Sequence, residues 1–377
     1  MTAIWNYPTR VIFGVSESLR VGAVAKELGL KRLLLVSDRG VEHAGLLTPI
    51  RQALAKERIF VESFVDVSSN PLEEDVEKGA EAYNAARAQG LIAVGGGSPL
   101  DAAKLIAVRS QSSRPWEQLD DAKNGGQYIP PVLPPVIALP TTAGTGSEVG
   151  RAAVLTVKST HRKTVVFSPL MLPKVAILDP LLTRSMPAWV TAATGFDALT
   201  HCLEAYLAVG DHPMADGIAL AGLELIAANL PLAVATGTDL EARGAMMKAA
   251  MMGAAAFQKG LGACHSLAHP LSSECGLHHG LANALCLPAV IRFNQSAVPA
   301  RVTRVAKIFS GGAAGDCAEL LTALRQKIGL PSGLASAGVT EAQLPKLADL
   351  AVEDACHREN PRPCSREDFL DLYRASM

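Results

Sequence analysis

Residues 262–280 read GACHSLAHPLSSECGLHHG, and four of the chain's nine histidines fall inside that window. Imidazole is the side chain that ligates metals and moves protons near neutral pH. His265 and His269 stand four residues apart, and His278 and His279 follow directly before Gly280, where the backbone has room to bend and aim an imidazole. Pro270 argues against a regular helix running through His269. Upstream, TGFDALTHCLEAY puts Asp197 and His201 one turn apart on a single helical face. Their neighbours are mostly apolar, so that face is expected to be buried, and buried ionisable groups need partners. Asp197, His201, His265 and one of His278 or His279 offer a carboxylate and three imidazoles, a donor set suited to a divalent metal. The remaining histidine near the site is free to move protons. A solvated Asp–His pair or a loop with chance histidines would explain either segment alone, but each segment supplies what the other lacks.

A second group of residues suits a nucleotide. LIAVGGGSPLDAAK sets three glycines between an apolar run and a helical one. Glycine lets the backbone approach a ligand closely, and a helix N-terminus offers free N–H groups to phosphate. Ser98, Pro99 and Asp101 fit the N-cap, first and third positions of that helix, and Asp101 is counted with the loop as a cofactor candidate. The dinucleotide fingerprint GxGxxG is absent, and a tight turn needing small residues is the alternative. IALPTTAGTGSE (137–148) ends an apolar run in hydroxyls and glycine, with a capping box from Thr145 to Glu148 as its alternative reading. Asp38 closes RLLLVSD, where a carboxylate meets a ribose 2′-hydroxyl and repels a 2′-phosphate, although strand ends also use aspartate simply to turn.

These candidates need a scaffold that brings them together. RLLLVSD (32–38), IFVESFVDV (59–67) and LIAVGGG (91–97) read as strands. TPIRQALAKE (48–57), LEEDVEKGAEAYNAARAQG (72–90) and PLDAAKLIAVRS (99–110) read as helices. Such alternation predicts a parallel sheet covered by helices, with the three loops at one edge. Beyond about residue 180 the strand signals fade, and alanine- and leucine-rich stretches of helical spacing follow. The expected organisation is an α/β, Rossmann-like domain over 1–181 and an all-α domain over 182–377, divided near LDPLLTRSMP.

Bulk properties narrow the class. A chain of 377 residues with 49% hydrophobic and 19% charged residues is globular, and two domains are its natural division. A net charge of -1 gives no reason to expect nucleic acid or an anionic membrane as partner. Seven cysteines with no CxxC pair point to a reducing compartment. The N-terminus lacks a signal-peptide layout, and no apolar run reaches membrane-spanning length, so a soluble cytoplasmic protein is expected.

GGGSPLDAAK, PTTAGTGSE, GFDALTHCLEAY, and HSLAHPL followed by HHG stand in the order and spacing of the iron-containing (group III) alcohol dehydrogenases, which the chain resembles over essentially its whole length. The resemblance implies a dehydroquinate synthase-like architecture and an NAD-dependent enzyme acting on a small alcohol or aldehyde. It implies metal ligation by Asp197, His201, His265 and His279, the last because the family's motif is histidine directly before glycine. Fe²⁺ is expected, with Zn²⁺ as its competitor. His269 would sit beside the metal and move protons. Gly96, Gly97, Ser98, Thr141, Thr142 and Thr145 match pyrophosphate and nicotinamide contacts. Asn70, Lys163 and Leu182 fall at other cofactor positions, and Arg151 stands where some relatives carry an amide. A homodimer or larger homo-oligomer is expected. Maleylacetate reductase or hydroxy-acid dehydrogenase activity, or a dehydroquinate synthase-like lyase, are the alternatives within the fold.

Overall fold

The computed structural model describes residues 9–160 and 162–377. They form two compact units, residues 9–142 with 146–185, and residues 143–145 with 186–377.

The first unit carries strands β1 (Arg10–Phe13), β2 (Arg32–Val36), β3 (Phe60–Phe64), β4 (Gly90–Gly95), β5 (Val136–Pro140), β6 (Ala152–Thr156), β7 (Lys163–Phe167) and β8 (Val175–Leu178). Its helices are α1 (Val21–Glu27), α2 (Arg39–His43), α3 (Leu47–Lys56), α4 (Glu73–Ala85) and α5 (Gly97–Arg109). Six strands pair in parallel in the order β1-β8-β5-β4-β2-β3. Strands buried on both faces read as continuous apolar runs, as β2 and β4 do. Alternate residues then feed two cores. Leu34, Val36, Leu91, Ala93 and Ala138 share one with Val76, Leu105 and Ile106 of α4 and α5. Leu33, Leu35, Ile92, Val94 and Ile137 share the other with Val24, Ile50 and Leu54 of α1 and α3. Because β2 pairs with β3 on one side and β4 on the other, the strand order reverses there. The C-terminal ends of β2 and β4 flank that switch point, where open α/β sheets bind ligands. The antiparallel hairpin β6–β7 carries no clear signal in the sequence; its strands are short and form a separate two-stranded sheet, with single bridges from Thr156 to Leu72 and from Val166 to Asp120.

The second unit is helical: α6 (Ala188–Leu207), α7 (Pro213–Ala235), α8 (Leu240–Ala256), α9 (Ala263–Cys275), α10 (His279–Asn294), α11 (Pro299–Phe309), α12 (Cys317–Lys327), α13 (Leu344–Glu353) and α14 (Arg366–Ala375). Two expectations are corrected here. Helix α7, with a mean hydropathy of 1.9 over its most apolar window, is long and apolar enough to cross a membrane by length and composition. In this unit it packs along α6 and α8 instead, burying Ala219, Leu223, Ile226 and Leu230. Its Asp216 is ion-paired with Lys259 at 2.5 Å and Arg301 at 2.9 Å. Helix α9 also continues through Pro270, so His265 and His269 do lie on one helical face.

Proline recurs in α10, and there the consequence is visible. Pro288 has no N–H for the carbonyl of Ala284, four residues back. The buried Arg325 of α12 fills the gap, its Nη1 donating to Ala284 O at 3.3 Å and Leu285 O at 3.5 Å, and its Nη2 to Ser332 O at 2.6 Å. Leaving such a carbonyl unpaired costs about 1–3 kcal/mol. Arg325→Met should therefore lower unfolding stability by about that amount. Adding Pro288→Ala, which restores the helical N–H, should recover part of the loss in a denaturation double-mutant cycle.

Candidate active site

Three helices of the second unit build a cage. Asp197, His201 and Glu204 fall at i, i+4 and i+7 on α6 and share one buried face. His265 and His269 project from α9, and His279 opens α10 with Asn283 one turn later. The close approach of α10 to α6 depends on Gly280, where a Cβ would lie 2.1 Å from the Ala193 carbonyl oxygen and 3.2 Å from Asp197 Cβ. Gly280 is helical and not among the residues with positive φ. Its role is close packing, which corrects the expected backbone bend.

One ligand atom each from Asp197, His265 and His279 lie within 4.8 Å of one another. His279 Nε2 is 3.4 Å and His201 Nε2 4.0 Å from Asp197 Oδ1. The His201 ring stacks on His265 at 4.7 Å. Asn283 Nδ2 donates to Asp197 Oδ1 at 2.9 Å and stands 3.3 Å from His279 Nε2 and 3.5 Å from His265 Nε2. The amide thus sits against Asp197 Oδ1 and the Nε2 atoms of His265 and His279, which converge on one small volume.

The protonation states suit a cation. Burial alone would raise the Asp197 carboxyl, but His201, His279, His265 and the Asn283 amide outweigh it and hold it at about 2. Burial pushes His201 down to about 4 against the pull of Asp197. Burial likewise takes His279 well below the ordinary histidine range. His265 differs: burial lowers it, but contact with Glu204 outweighs burial and leaves it raised. An ionised carboxylate among imidazoles, two of them held neutral, fits a divalent metal by donor chemistry, and a ligand histidine sheds its proton on binding. His278 stands apart, edge-on to Trp189 at 5.8 Å, so His279 is the member of the pair brought into the cage.

His269 stacks on His279 at 5.3 Å, and its Nδ1 lies 2.7 Å from Asp354 Oδ2. Together with Cys356 these side chains form a second group with ligand atoms within 4.8 Å. Both oxygens of Asp354 are engaged, however. Oδ1 accepts from Ser266 Oγ and Cys356 N, each at 2.8 Å, and Oδ2 from His269. The Asp354 carboxyl is also held below its ordinary range, burial being outweighed by His269 and these donors. This arrangement orients a histidine.

In the first unit, Asp38, the glycine loop and the PTT segment follow β2, β4 and β5. Asp38 caps α2, its Oδ1 accepting from Val41 N at 2.9 Å. Helix α5 begins at Gly97 with Gly96 as its N-cap, so the expected N-cap at Ser98 is corrected. Ser98 Oγ instead donates to Ser69 O at 2.6 Å, beside the exposed Asn70. A Cβ at Gly95 would sit 2.5 Å from Pro99 Cγ, which explains the first glycine of the loop. A Cβ at Gly96 would meet Thr142 at 3.2 Å, and Thr141 N donates to Gly95 O at 2.9 Å, so the glycine and threonine segments touch. Thr145 is exposed, and Ser147–Val149 is one short 3-10 turn with Gly146 as N-cap, so the capping box to Glu148 does not form. Asp101 is tied to other residues, accepting from Ser147 Oγ at 2.5 Å and Val154 N at 3.0 Å. Leu182 is buried in the apolar core under the sheet, Lys163 opens β7, and Arg151 lies over the Phe167 ring at 5.3 Å.

Sequence reasoning missed Glu204, Asn283 and Asp354. The first two had a local signal, since they stand three residues after His201 and four after His279. Asp354 lies 85 residues from His269 and had none.

A parallel α/β unit with loops beside its switch point, and a helical unit with a carboxylate–imidazole cage, are the two parts that an oxidoreductase working with a metal and a nicotinamide cofactor needs. Residues 8–180 match the family profile described as iron-containing alcohol dehydrogenase, and 191–377 that of the Fe-containing alcohol dehydrogenase family, C-terminal. The chain belongs to the iron-containing alcohol dehydrogenase family. It is 41% identical to 4-hydroxybutyrate dehydrogenase of Cupriavidus necator, over 97% of each chain. The crystal structure of a 1,3-propanediol oxidoreductase superposes with a TM-score of 0.94 at 35% identity, covering 100% of both chains. Sulfoacetaldehyde reductase from Bifidobacterium kashiwanohense, solved with NAD+, superposes with a TM-score of 0.90 at 29% identity, covering 100% of this chain and 98% of that one.

Buried charge near the loops gives a pH prediction. Lys104, fully buried, donates from Nζ to Ser147 Oγ and Ala152 O, both at 2.7 Å. Beside Ser147, Glu148 is 3% exposed, and burial lifts its carboxyl from 4.5 to about 7 against a backbone hydrogen bond and Lys104. A carboxyl raised by folding contributes stability that is complete below the unfolded value and lost as pH rises through the folded one. The Glu148 contribution should therefore decline across that window, while the lowered His201 and His279 contribute in the opposite sense. Glu148→Gln, which has no such proton, should decline less, by on the order of 3 kcal/mol in chemical denaturation followed against pH.

Proposed function

We propose that this enzyme interconverts a short ω-hydroxy acid and its aldehyde with NAD(H), 4-hydroxybutyrate being the first substrate to try. The observation that carries the chemistry is the convergence of Asp197, His265 and His279 on one volume, with His201 against them and His269 alongside. The substrate class rests on the name carried by the Cupriavidus relative across nearly the whole chain. Short diols, named for another relative, form the second class to test.

In this reading Asp197, His201, His265 and His279 hold the metal. Four protein donors plus the substrate oxygen favour Fe²⁺ over Zn²⁺, whose catalytic sites usually keep three protein ligands. When bound, the metal supplies Lewis-acid polarisation of the substrate oxygen and NAD supplies the hydride acceptor. The protein's part is to hold and move the proton. With Nδ1–H donated to Asp354, His269 keeps its lone pair on Nε2 and can accept the alcohol proton there. Gly96, Gly97, Ser98, Thr141, Thr142 and Thr145 are assigned to the cofactor's phosphates and nicotinamide, with Asn70, Asp101, Lys163 and Leu182 as supporting positions. Asp101 and Leu182 act there through the backbone they fix, given their partners. Cysteines without a CxxC pair support a cytoplasmic setting, and a closed homo-oligomer is the expected assembly.

The deciding assay is NADH formation by iron-loaded protein with 4-hydroxybutyrate, 1,3-propanediol and ethanol in parallel. The highest kcat/KM should fall on 4-hydroxybutyrate; a higher value for the diol would move the substrate class. Absence of net NADH with every alcohol would favour the lyase alternative.

Two variants test the assigned roles. His265→Ala should lose bound metal, whereas His269→Ala should keep it while turnover falls by about 10²–10⁴-fold and its pH profile changes. Metal analysis beside pH–rate profiles separates them, and equal metal loss in both would redraw the ligand set. At the nucleotide end, Asp38→Gly should narrow the preference for NADH over NADPH in kcat/KM. A wild type already indifferent to the 2′-phosphate would remove Asp38 from that role.

A further inference from the structure

Helix α9 begins without a cap of its own. Its N-cap is Gly262, which has no side chain to accept the free N–H groups of the first turn. Two residues from elsewhere do this instead. Ala263 N donates to Asn360 Oδ1 at 3.2 Å, and Cys264 N to Glu204 Oε1 at 2.6 Å. There is no space for a conventional cap, because a Cβ at Gly262 would lie 2.8 Å from Glu204 Oε1 and 2.9 Å from Asn360 Oδ1.

The second oxygen of Glu204 faces His265 Nδ1 at 2.5 Å, and the two side chains are 3% and 2% exposed. One buried carboxylate therefore receives two donors, a backbone N–H and an imidazole N–H. A carboxylate accepts at both oxygens, whereas an amide must turn an NH₂ toward one of those donors. Holding the proton on Nδ1 leaves the lone pair of His265 on Nε2. That atom is the one near Asn283 Nδ2, the amide bound to Asp197 and close to His279.

We propose that Glu204 is a positioning residue for the metal centre: it anchors the start of α9 and sets the tautomer and orientation of His265, and thereby the metal affinity. The proposal rests on His265 being a ligand, as read above. Carboxylate partners of ligand histidines typically contribute about 10–100-fold in metal affinity.

The test titrates Co²⁺, as a coloured probe, into metal-free wild type, Glu204→Gln, Gly262→Ala and His265→Ala, with the melting temperature of each metal-free form recorded. Glu204→Gln should fold and bind Co²⁺ about 10–100-fold more weakly, with an altered visible ligand-field spectrum. Gly262→Ala, which crowds the same carboxylate, should shift affinity in the same direction. His265→Ala should lose more than either. Wild-type affinity in a folded Glu204→Gln, alongside weak binding by His265→Ala, would overturn the role of Glu204 and leave the ligand reading standing. Wild-type affinity in His265→Ala would overturn the ligand reading itself. If Glu204→Gln does not fold, ¹⁵N imidazole shifts of the metal-free wild type decide. Above its titration His265 should carry its proton on Nδ1, and a proton on Nε2 would overturn the proposal.

Discussion

The helical unit is organised around one costly event, the burial of the Asp197 carboxylate. An ionised group removed from water needs compensation at short range, because the low dielectric of the interior strengthens attraction and penalty alike. Asn283 and the three imidazoles provide it from α6, α9 and α10, so the packing of these helices and the electrostatics of the site are one problem. Gly280 lets α10 approach α6 closely enough to bring His279 and Asn283 to that carboxylate. The same charge, with His201 and His279 held neutral beside it, makes the volume hospitable to a cation.

Around this centre lies a ring of residues whose work is orientation. Glu204 holds His265 and Asp354 holds His269, each through Nδ1. Both carboxylates also accept backbone N–H groups, Cys264 for Glu204 and Cys356 for Asp354. Each histidine is thus fixed to the backbone of its surroundings. A side chain pinned at both ends loses little further freedom on binding, which is what a preorganised site requires.

The α/β unit solves its own version of the buried-charge problem. Lys104 and Asp101 on α5 reach Ser147, Ala152 and Val154, so the loop after β5 and the hairpin β6–β7 are fastened to the helix that follows the glycine loop. This gives the glycine-rich and threonine-rich segments a shared rigid support at the C-terminal edge of the sheet. Asp101 is better understood as a strut in that support than as a cap for its helix.

Much was legible in the chain alone. The doubly buried strands announce themselves as continuous apolar runs, and the Asp–x₃–His spacing on α6 places two donors on one face wherever that helix packs. Those features follow from local periodicity, which depends on residue type and on nothing distant. Tertiary structure decided what periodicity cannot encode. Whether Pro270 would break α9, whether a 23-residue apolar helix would pack within the unit, and which of two adjacent histidines would enter the cage all depend on surfaces supplied from elsewhere in the chain. Asp354 shows the limit best. Its partner lies 85 residues away, and an acidic residue carries no mark of which imidazole it will face until folding brings α9 and the end of α13 together.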